Sequence, residues 1–233
     1  MSDVTCERQD DVVLVTVDDG KANAFSHQLL DELAAALAEA QGQAAPVVLA
    51  GRPGRFSAGF DLATMTSGDE AMRGLLRRGA EVLLELFTFP APLVLACTGH
   101  ALALGGILLF TGDHRLCAEG TFKIGLNETQ IGLPLPIFAA ELARFRLQPW
   151  ALEQVLFGQV AGPERALEQG YVDELVPPES LLERSLAYAS GLAALDVTVV
   201  GRTKRALRQP VVDRVLATLD QDLADLTRVD PDA

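Results

Sequence analysis

The order of apolar and polar positions predicts an α/β fold in the first part of the chain. A further strand is predicted near residues 114–118, and apolar runs at 11–17, 46–50 and 93–98 have hydrophobic side chains at successive positions. Such runs are typical of strands that are buried on both faces. Helical patterns and glycine-containing turns separate them. Strands that alternate with helices in this way predict a sheet with parallel strands.

Helix boundaries in this part follow from local signals. Ser26 is a candidate N-cap for a helix that extends to about residue 41, in which leucines recur every four residues. A longer helical pattern covers residues 69–86 and ends before Pro90.

The pattern changes near residue 134, where helical segments begin to follow one another. These segments cover residues 136–147, 149–158, 163–170, 180–192, 197–207 and 210–226. Proline stands near many of their first turns, where its fixed φ is favourable. We therefore expect a core over residues 1–133 and a helical region over residues 134–233.

Two glycine-containing segments, 51–62 and 99–106, each follow a buried strand. A loop that leaves a strand and enters a helix directs backbone N–H groups toward one point. Two such loops can place two donors on one oxygen, which is the geometry of an oxyanion hole. The same glycines would also be required if they only formed tight turns, and the pattern alone leaves both interpretations open.

Five segments resemble signature motifs of the crotonase, or enoyl-CoA hydratase/isomerase, superfamily. They are KANA at 21–24, FSAGFDL at 56–62, GHALALGGILLFTGD at 99–113, IGLNETQIGLP at 124–134 and AGPERALEQGYVD at 161–173. The resemblance covers nearly the whole chain. It implies a spiral of ββα units, C-terminal helices that form a homotrimer or a dimer of trimers, and an acyl-CoA thioester as substrate. Coenzyme A is then part of the substrate, and no separate cofactor is implied.

The resemblance also implies the site residues. The oxyanion donors would be the backbone N–H groups of Phe60 and Leu104, with Gly105 as the alternative to Leu104. Family hydratases use two glutamates to hold and activate water. Here Ile107 occupies the first of these positions and Glu128 the second.

Glu128 is the candidate catalytic base. The run GLNETQ resembles that of Δ3,Δ2-enoyl-CoA isomerases, which need one base because the proton taken from C2 returns at C4. An apolar pocket would raise the pKa of Glu128 for this role, and Ile107, Leu133 and Phe60 are candidate walls. The alternative interpretation is a solvated loop carboxylate or a cap on the following turn. Asp61 is expected to cap or brace the first loop.

The charge balance shapes the expectations about partners. Nineteen basic and 32 acidic residues give a net charge of −13, which argues against nucleic-acid binding. The CoA phosphates require local positive charge. The candidate basic residues are Arg52, Arg55, Arg202, Lys204, Arg205 and Arg208. Ala58, Arg55 and Lys204 are the expected CoA contacts, although the helical cluster could equally be an ordinary solvated face.

Other functional classes find little support in the sequence. His27, His100 and His114 lack metal-ligand spacing, so no metal site is expected, and we interpret His100 and Cys97 as structural. No apolar run is long enough for a membrane span, and the three cysteines favour a reducing, cytoplasmic location.

Two alternatives to the isomerase stay open. One is an enoyl-CoA hydratase of fatty-acid β-oxidation, and the other is a non-catalytic acyl-CoA-binding protein. Asp113 and Arg115 are expected to tie a strand to a helix and to have no chemical role.

Overall fold

The computed structural model describes residues 2–226, and its strands form two main sheets and one short pair. In chain order the strands are β1 Val4–Gln9, β2 Val12–Val17, β3 Ala24–Phe25, β4 Val47–Ala50, β5 Gly54–Ser57, β6 Gly59–Phe60, β7 Leu93–Cys97, β8 Gly99–Leu102, β9 His114–Ala118, β10 Ile124–Gly125, β11 Val160–Ala161 and β12 Glu174–Val176. The larger sheet has the order β1-β2-β4-β7-β9-β12, and the smaller has the order β11-β10-β8-β5. Strands β3 and β6 pair only with each other.

The helices cover the sheets and fill the second half of the described chain. They are α1 His27–Gly42, α2 Leu62–Met65, α3 Asp69–Phe87, α4 Leu104–Leu109, α5 Ile137–Arg146, α6 Pro149–Val155, α7 Pro163–Gln169, α8 Leu181–Ser190 and α9 Val197–Leu226. Two 3₁₀ turns, Glu128–Ile131 and Pro178–Ser180, supplement them.

The chain winds as a spiral of ββα units, as expected. Each turn adds a parallel strand to the larger sheet, then a strand to the smaller sheet, then a helix. The units β4-β5-α3 and β7-β8-α4 are successive turns. Because parallel strands begin and end at the same edges, the loops after β5, β8 and β10 come together at one edge of the smaller sheet.

The apolar runs are double-sided because the larger sheet has a core on each face. Alternate side chains such as Val13 and Leu49 enter the main core under α1 and α3. Their neighbours Leu14 and Val48 enter a second core, which α8 covers. The strands and helices expected over residues 11–118 are confirmed, including the N-cap, where Ser26 Oγ accepts from Leu29 N at 3.2 Å.

Three short strands lie where the sequence indicated loops. Strands β5, β6 and β8 occupy parts of segments 51–62 and 99–106. Their glycine content and short length conceal the strand pattern. The hydrogen bonds that define them come from neighbouring turns of the spiral.

The region after residue 133 is helical, but it does not separate from the sheets. Strand β12 pairs with β9 and β11 pairs with β10, so the larger and smaller sheets both end in strands from this region. Residues 227–233, the end of the expected helical region, lie outside the described residues.

The expected break before Pro210 is wrong, because α9 is continuous through this residue. Proline removes the hydrogen bond to the carbonyl four residues earlier, at Ala206. Both Ala206 and Pro210 are on the exposed face of α9, where water can solvate that carbonyl. The opposite face packs continuously on the core through Val212, Val215 and Leu219.

Candidate active site

A largely apolar cavity of about 420 Å³ opens at the edge of the smaller sheet where β5, β8 and β10 end. Its lining comes from the loops after these strands, from α2 and α3, and from the last turn of α9. The lining residues are Ala58, Phe60, Leu62, Met65, Thr66, Met72, Leu76, Leu102, Ala103, Ile107, Asn127, Glu128, Ile131, Leu133, Pro134, Pro136, Phe138 and Leu226. A cavity of this size and composition suits a small apolar ligand.

The two expected oxyanion loops meet at Gly59 and Ala103. Gly59 has φ +106°, and a Cβ there would lie 3.0 Å from Ala103 Cβ and 3.2 Å from Leu102 O. Only glycine therefore permits this approach. Ala103 itself has φ +50° and ψ −121°, an unfavourable conformation for a residue with a Cβ. The strain lies at the turn that joins β8 to α4.

The Phe60 amide lies at this junction. Asp61 N donates to Phe25 O at 3.0 Å on the β3 side. Successive N–H groups along an extended strand point to opposite sides, so the Phe60 N–H points away from β3. On that side β6 contacts α4.

The Leu104 amide faces the same junction. Leu104 begins α4, and the first intrahelical donor is the N–H of Ile107, which bonds to Ala103 O. The Leu104 N–H therefore belongs to the first turn, whose amides have no partner within the helix. A Cβ on Gly59 would lie 3.6 Å from Leu104 N. Leu104 keeps a negative φ, so its Cβ causes no backbone strain.

Gly105, the alternative donor, serves packing. A Cβ at Gly105 would lie 2.4 Å from Ser57 O, and one at Gly106 would lie 2.8 Å from Gly125 O. These glycines allow α4 to sit directly on β5 and β10. The close approach brings the start of α4 to the end of β5, beside the cavity.

Glu128 is buried in the cavity wall at the start of the 3₁₀ turn. Its residue surface is 8% exposed, and its Oε2 atom is buried without a hydrogen-bond partner. Burial raises the pKa of Glu128 to about 7, although its own backbone N–H acts in the opposite direction. Glu128 is therefore neither a solvated carboxylate nor a cap. The expected walls Ile107, Leu133 and Phe60 all line the same cavity.

Two polar neighbours of Glu128 were not identified from the sequence. Asn127 lines the cavity, and its buried Oδ1 atom has no hydrogen-bond partner. Tyr171 is buried against Phe110, and burial, together with the charge of Glu128, raises the pKa of its hydroxyl. The family-like runs contain both residues, but only the fold shows that they lie beside Glu128.

The helices that line the cavity were also not identified from the sequence. Met72 and Leu76 are four residues apart on α3 and so share one face. Phe138 and Leu226 come from α5 and α9. The helical spacing of Met72 and Leu76 could have indicated a common face, but not which face lines a cavity.

Three residues have the structural roles expected of them. Asp61 caps α2, where its Oδ2 accepts from Thr64 N at 2.8 Å. His100 Nδ1 accepts from Lys123 N at 3.0 Å. Cys97 is buried, and its Sγ donates to Gly99 O at 3.3 Å. All three cysteines have free thiols.

Asp113 and Arg115 tie elements together. Asp113 accepts from Leu93 N at 2.7 Å, and Arg115 pairs with Asp173 at 2.6 Å. Neither residue lines the cavity.

The basic cluster expected on the C-terminal helix is wrong for Lys204 and Arg208. Both side chains are buried against the main core. Lys204 Nζ donates to Phe89 O at 2.9 Å and pairs with Asp113 at 2.5 Å, and burial lowers its pKa to about 8. Arg208 donates to Phe87 O at 2.6 Å and to Asp113 at 2.8 Å.

The helical face that remains exposed, at Arg202 and Arg205, lies far from the cavity. About 30 Å of helix separate Arg205 from Leu226, which lines the cavity. A phosphate contact by Arg202 or Arg205 stays a prediction.

A second basic group lies nearer to the cavity, at the start of the strands whose ends form it. Arg55 of β5 is beside His100 of β8, and Lys123 directly precedes β10. Burial and the charges of Arg55 and Lys123 lower the pKa of His100. Arg55 and Ala58 are three residues apart, about 10 Å along an extended chain. Lys123 was not identified from the sequence, because no motif or basic cluster surrounds it.

Within residues 2–226, no group of three or more His, Cys, Asp or Glu side chains is arranged to hold a metal ion. In the same residues, no helix combines the length and apolar character that crossing a bilayer requires.

The ββα spiral is a crotonase-type fold, and comparison with known proteins agrees. The family model described as enoyl-CoA hydratase/isomerase matches residues 7–229. The chain therefore belongs to the enoyl-CoA hydratase/isomerase family.

Similar proteins carry both activity names. Human mitochondrial enoyl-CoA delta isomerase 1 is 30% identical over 86% of this chain and 68% of its own. A probable enoyl-CoA hydratase of Bacillus subtilis is 31% identical over 78% of this chain and 72% of its own. A crystal structure of an enoyl-CoA hydratase/isomerase family protein from Pseudomonas syringae matches with a TM-score of 0.94 and 35% identity, over 96% of this chain and 98% of that one.

Proposed function

We propose that the protein is an isomerase that moves the double bond of an unsaturated fatty acyl-CoA from Δ3 to Δ2. The observation that carries the proposal is that Glu128 is the single carboxylate lining the cavity among residues 2–226. Glu128 has a pKa of about 7 in an apolar wall, and Ile107 stands where a second carboxylate would serve a hydratase. A base with a pKa near neutrality both accepts and returns a proton readily.

In the proposed reaction, the N–H groups of Phe60 and Leu104 bind the thioester oxygen. Glu128 removes a proton from C2, and the electron pair of that C–H bond passes into a dienolate whose charge rests on the oxygen. The two amides stabilise this charge. The protonated Glu128 then returns the proton at C4. The oxygen regains its carbonyl bond, and the double bond lies between C2 and C3.

The apolar surroundings support this reaction over hydration. Hydration must orient a water molecule and activate it, and Ile107 has no group that can do either. Next to Glu128, the cavity wall contains the amide of Asn127. An amide can hold water but cannot take its proton. Hydratase activity is therefore the second candidate, which the names of similar proteins such as the B. subtilis relative favour.

A non-catalytic acyl-CoA-binding protein is the third candidate. Such a protein needs the cavity and the amides but no base. The buried Oε2 atom of Glu128, which lacks a hydrogen bond, argues against this candidate. Burying a carboxyl group in this way has a cost that simple binding does not require.

For the CoA part of the substrate, we propose contacts with Ala58, Arg55 and Lys123. Ala58 lies in the cavity wall. The two exposed cations lie near the starts of β5 and β10, the strands whose ends form the cavity. No cofactor beyond this CoA is required by the reaction. A homotrimer or a dimer of trimers stays a prediction, which analytical ultracentrifugation tests. A cytoplasmic location likewise stays a prediction.

The proposed function is tested by measuring a 3-enoyl-CoA and a 2-enoyl-CoA side by side. We expect isomerisation of the 3-enoyl-CoA to be much faster than hydration of the 2-enoyl-CoA. Faster hydration would identify a hydratase. Acyl-CoA binding without either reaction would identify a binding protein.

A further inference from the structure

The stripe of α3 that faces the cavity lacks a side chain at one position. Met72 and Leu76 line the cavity, and the next residue on the same stripe is Gly79. Gly79 is buried, and the ring of Phe60 lies directly over it. The ring thus occupies the space that a side chain at position 79 would take.

The contact leaves no room for even one methyl group. A Cβ on Gly79 would lie 2.5 Å from both Cε1 and Cζ of Phe60. Carbon atoms in contact are normally 3.5–4.0 Å apart, so the ring would have to move by about 1 Å. Leu75 and Leu83 lie one turn before and one turn after Gly79 on the same side of α3, and both are buried in the core, which holds the helix in place.

The ring has one free direction in which to move. The Phe60 backbone is held by the pairing of β6 with β3 and by the bond from Asp61 N to Phe25 O. The far end of the side chain is its most mobile part, and the ring forms part of the cavity wall. A displaced ring therefore moves into the cavity.

We propose that Gly79 determines the acyl specificity of the cavity, because its missing side chain lets the Phe60 ring withdraw from the path of the acyl chain. The inference rests on the proposed function in one respect, that the cavity receives an acyl chain. Short acyl groups end near the thioester, which the amide of Phe60 binds. Longer groups must pass the ring, and Gly79 should matter only to them.

The test is the Gly79→Ala variant, with Gly74→Ala as its matched control on the same helix. A Cβ at Gly74 would meet only His27, at 3.7 Å, which is an ordinary contact. Both substitutions favour the helix, since alanine has the higher helix propensity, and thermal unfolding verifies that each variant is folded. Binding of butanoyl-CoA and dodecanoyl-CoA is measured by calorimetry.

We expect Gly79→Ala to weaken dodecanoyl-CoA binding about tenfold, the loss that follows if roughly two methylene groups leave the cavity. Butanoyl-CoA binding should change less than about twofold. Gly74→Ala should match the wild type for both ligands. In a Phe60→Ala background, Gly79→Ala should have no further effect on either ligand, because the ring is absent.

Three outcomes would overturn the inference. The first is a Gly79→Ala variant that binds both acyl-CoAs as the wild type does. The second is an equal loss of affinity for both chain lengths, and the third is a loss of affinity that persists in the Phe60→Ala background. Binding is independent of turnover, so an inactive wild type that still discriminates through Gly79 would contradict only the isomerase proposal. A wild type that binds neither acyl-CoA would overturn both.

Discussion

At the scale of single residues, the environment of Glu128 sets its chemistry. The carboxyl group lies in an apolar wall, and burial brings its pKa to about 7. At neutral pH a substantial share of the molecules therefore carries the proton and a substantial share does not. A group that must accept and then donate the same proton benefits from this balance. Ile107, which lines the same cavity, keeps the surroundings apolar.

Glu128→Gln should abolish most of the turnover. Glutamine keeps the shape of the side chain but cannot accept a proton, and positioned acid–base groups contribute about 10²–10⁴-fold. We expect a loss of at least this size in isomerisation, with little change in acyl-CoA affinity. Glu141→Gln is the matched control, because Glu141 is an equally buried glutamate that pairs with Arg144, outside the cavity. A Glu128→Gln variant with wild-type turnover would exclude Glu128 as the base.

The same substitution should alter the pH dependence of stability. The pKa of Glu128 is raised from 4.5 to about 7 in the folded chain, so the folded state retains its proton between these values while the unfolded state loses it. The wild type therefore loses stability as the pH rises from about 4.5 to 7, by about 3 kcal/mol. Glu128→Gln should unfold at higher denaturant concentration than the wild type at pH 8, with little difference at pH 4. The reverse order at pH 8 would show that the carboxylate is stabilised in the fold.

At the scale of secondary-structure elements, the site depends on two strand ends and one helix start. Gly59 begins β6 just after β5, and Ala103 joins β8 to α4. Ser57 links these parts, because its Oγ donates to Asn23 O and accepts from Gly59 N. Buried hydrogen bonds therefore hold the junction at which the amides of Phe60 and Leu104 lie.

Phe60→Pro should reduce turnover by at least about 10²–10³-fold. Proline removes the N–H and fixes φ near −65°, and the loss of one oxyanion donor typically has an effect of this size. Phe60→Ala keeps the N–H, so it should reduce turnover much less, mainly through acyl packing. Circular dichroism verifies that both variants are folded. If the alanine variant were as inactive as the proline variant, the ring would be the essential group.

Two basic side chains of helix α9 attach it to the core by binding groups at the ends of other elements. Lys204 and Arg208 donate to carbonyls that follow or end α3, at Phe89 and Phe87, and both pair with Asp113. Positive groups at a helix C-terminus satisfy carbonyls that have no partner in the helix. This arrangement explains why two basic residues of an acidic protein are buried.

Lys204→Met should lower the free energy of unfolding by about 3–5 kcal/mol. The substitution leaves the Asp113 charge with one cation fewer and removes the donor to two buried carbonyls. Arg202→Met on the exposed face of the same helix should change stability by less than about 0.5 kcal/mol. Urea unfolding of the two variants gives the comparison. Equal stabilities would mean that the Lys204 contacts contribute nothing net to the fold.

At the scale of the whole molecule, the net charge of −13 opposes an anionic ligand. Coenzyme A carries phosphates, so its binding depends on cations that are locally concentrated. Arg55 and Lys123 are exposed on the two sides of His100 in β8, near the cavity. Arg202 and Arg205 are exposed near the opposite end of α9.

Arg55→Gln combined with Lys123→Gln should flatten the salt dependence of acyl-CoA binding. Exposed charge pairs are screened over about 10 Å at 0.1 M salt, so wild-type affinity should fall as salt rises. The double variant should bind several-fold more weakly at low salt and equally at high salt. Arg202→Gln combined with Arg205→Gln is the control and should keep the wild-type slope. If only the control flattened the slope, the phosphates would bind at α9 instead.

Many strands and helices could be predicted from the sequence, because the residue patterns that determine them are local. The continuous apolar runs of β2, β4 and β7 indicate strands that are buried on both faces. The N-cap Ser26 binds an amide only three residues away. Glu128 stood out through its motif, and the pocket around it confirms the expected walls. Neighbouring residues in a sequence determine such features, so a pattern can record them.

Only the tertiary structure decided the features that depend on distant parts of the chain. Lys204 and Phe89, which meet in a buried hydrogen bond, are 115 residues apart, and no local pattern distinguishes this lysine from exposed Arg205. The same holds for the strands within the glycine loops, for the continuity of α9 through Pro210, and for the contact of Phe60 with Gly79. In each case the partner that determines burial comes from another element of the fold. The sequence by itself determined which residues could do the chemistry, and the packing of these elements decided which of them face the cavity.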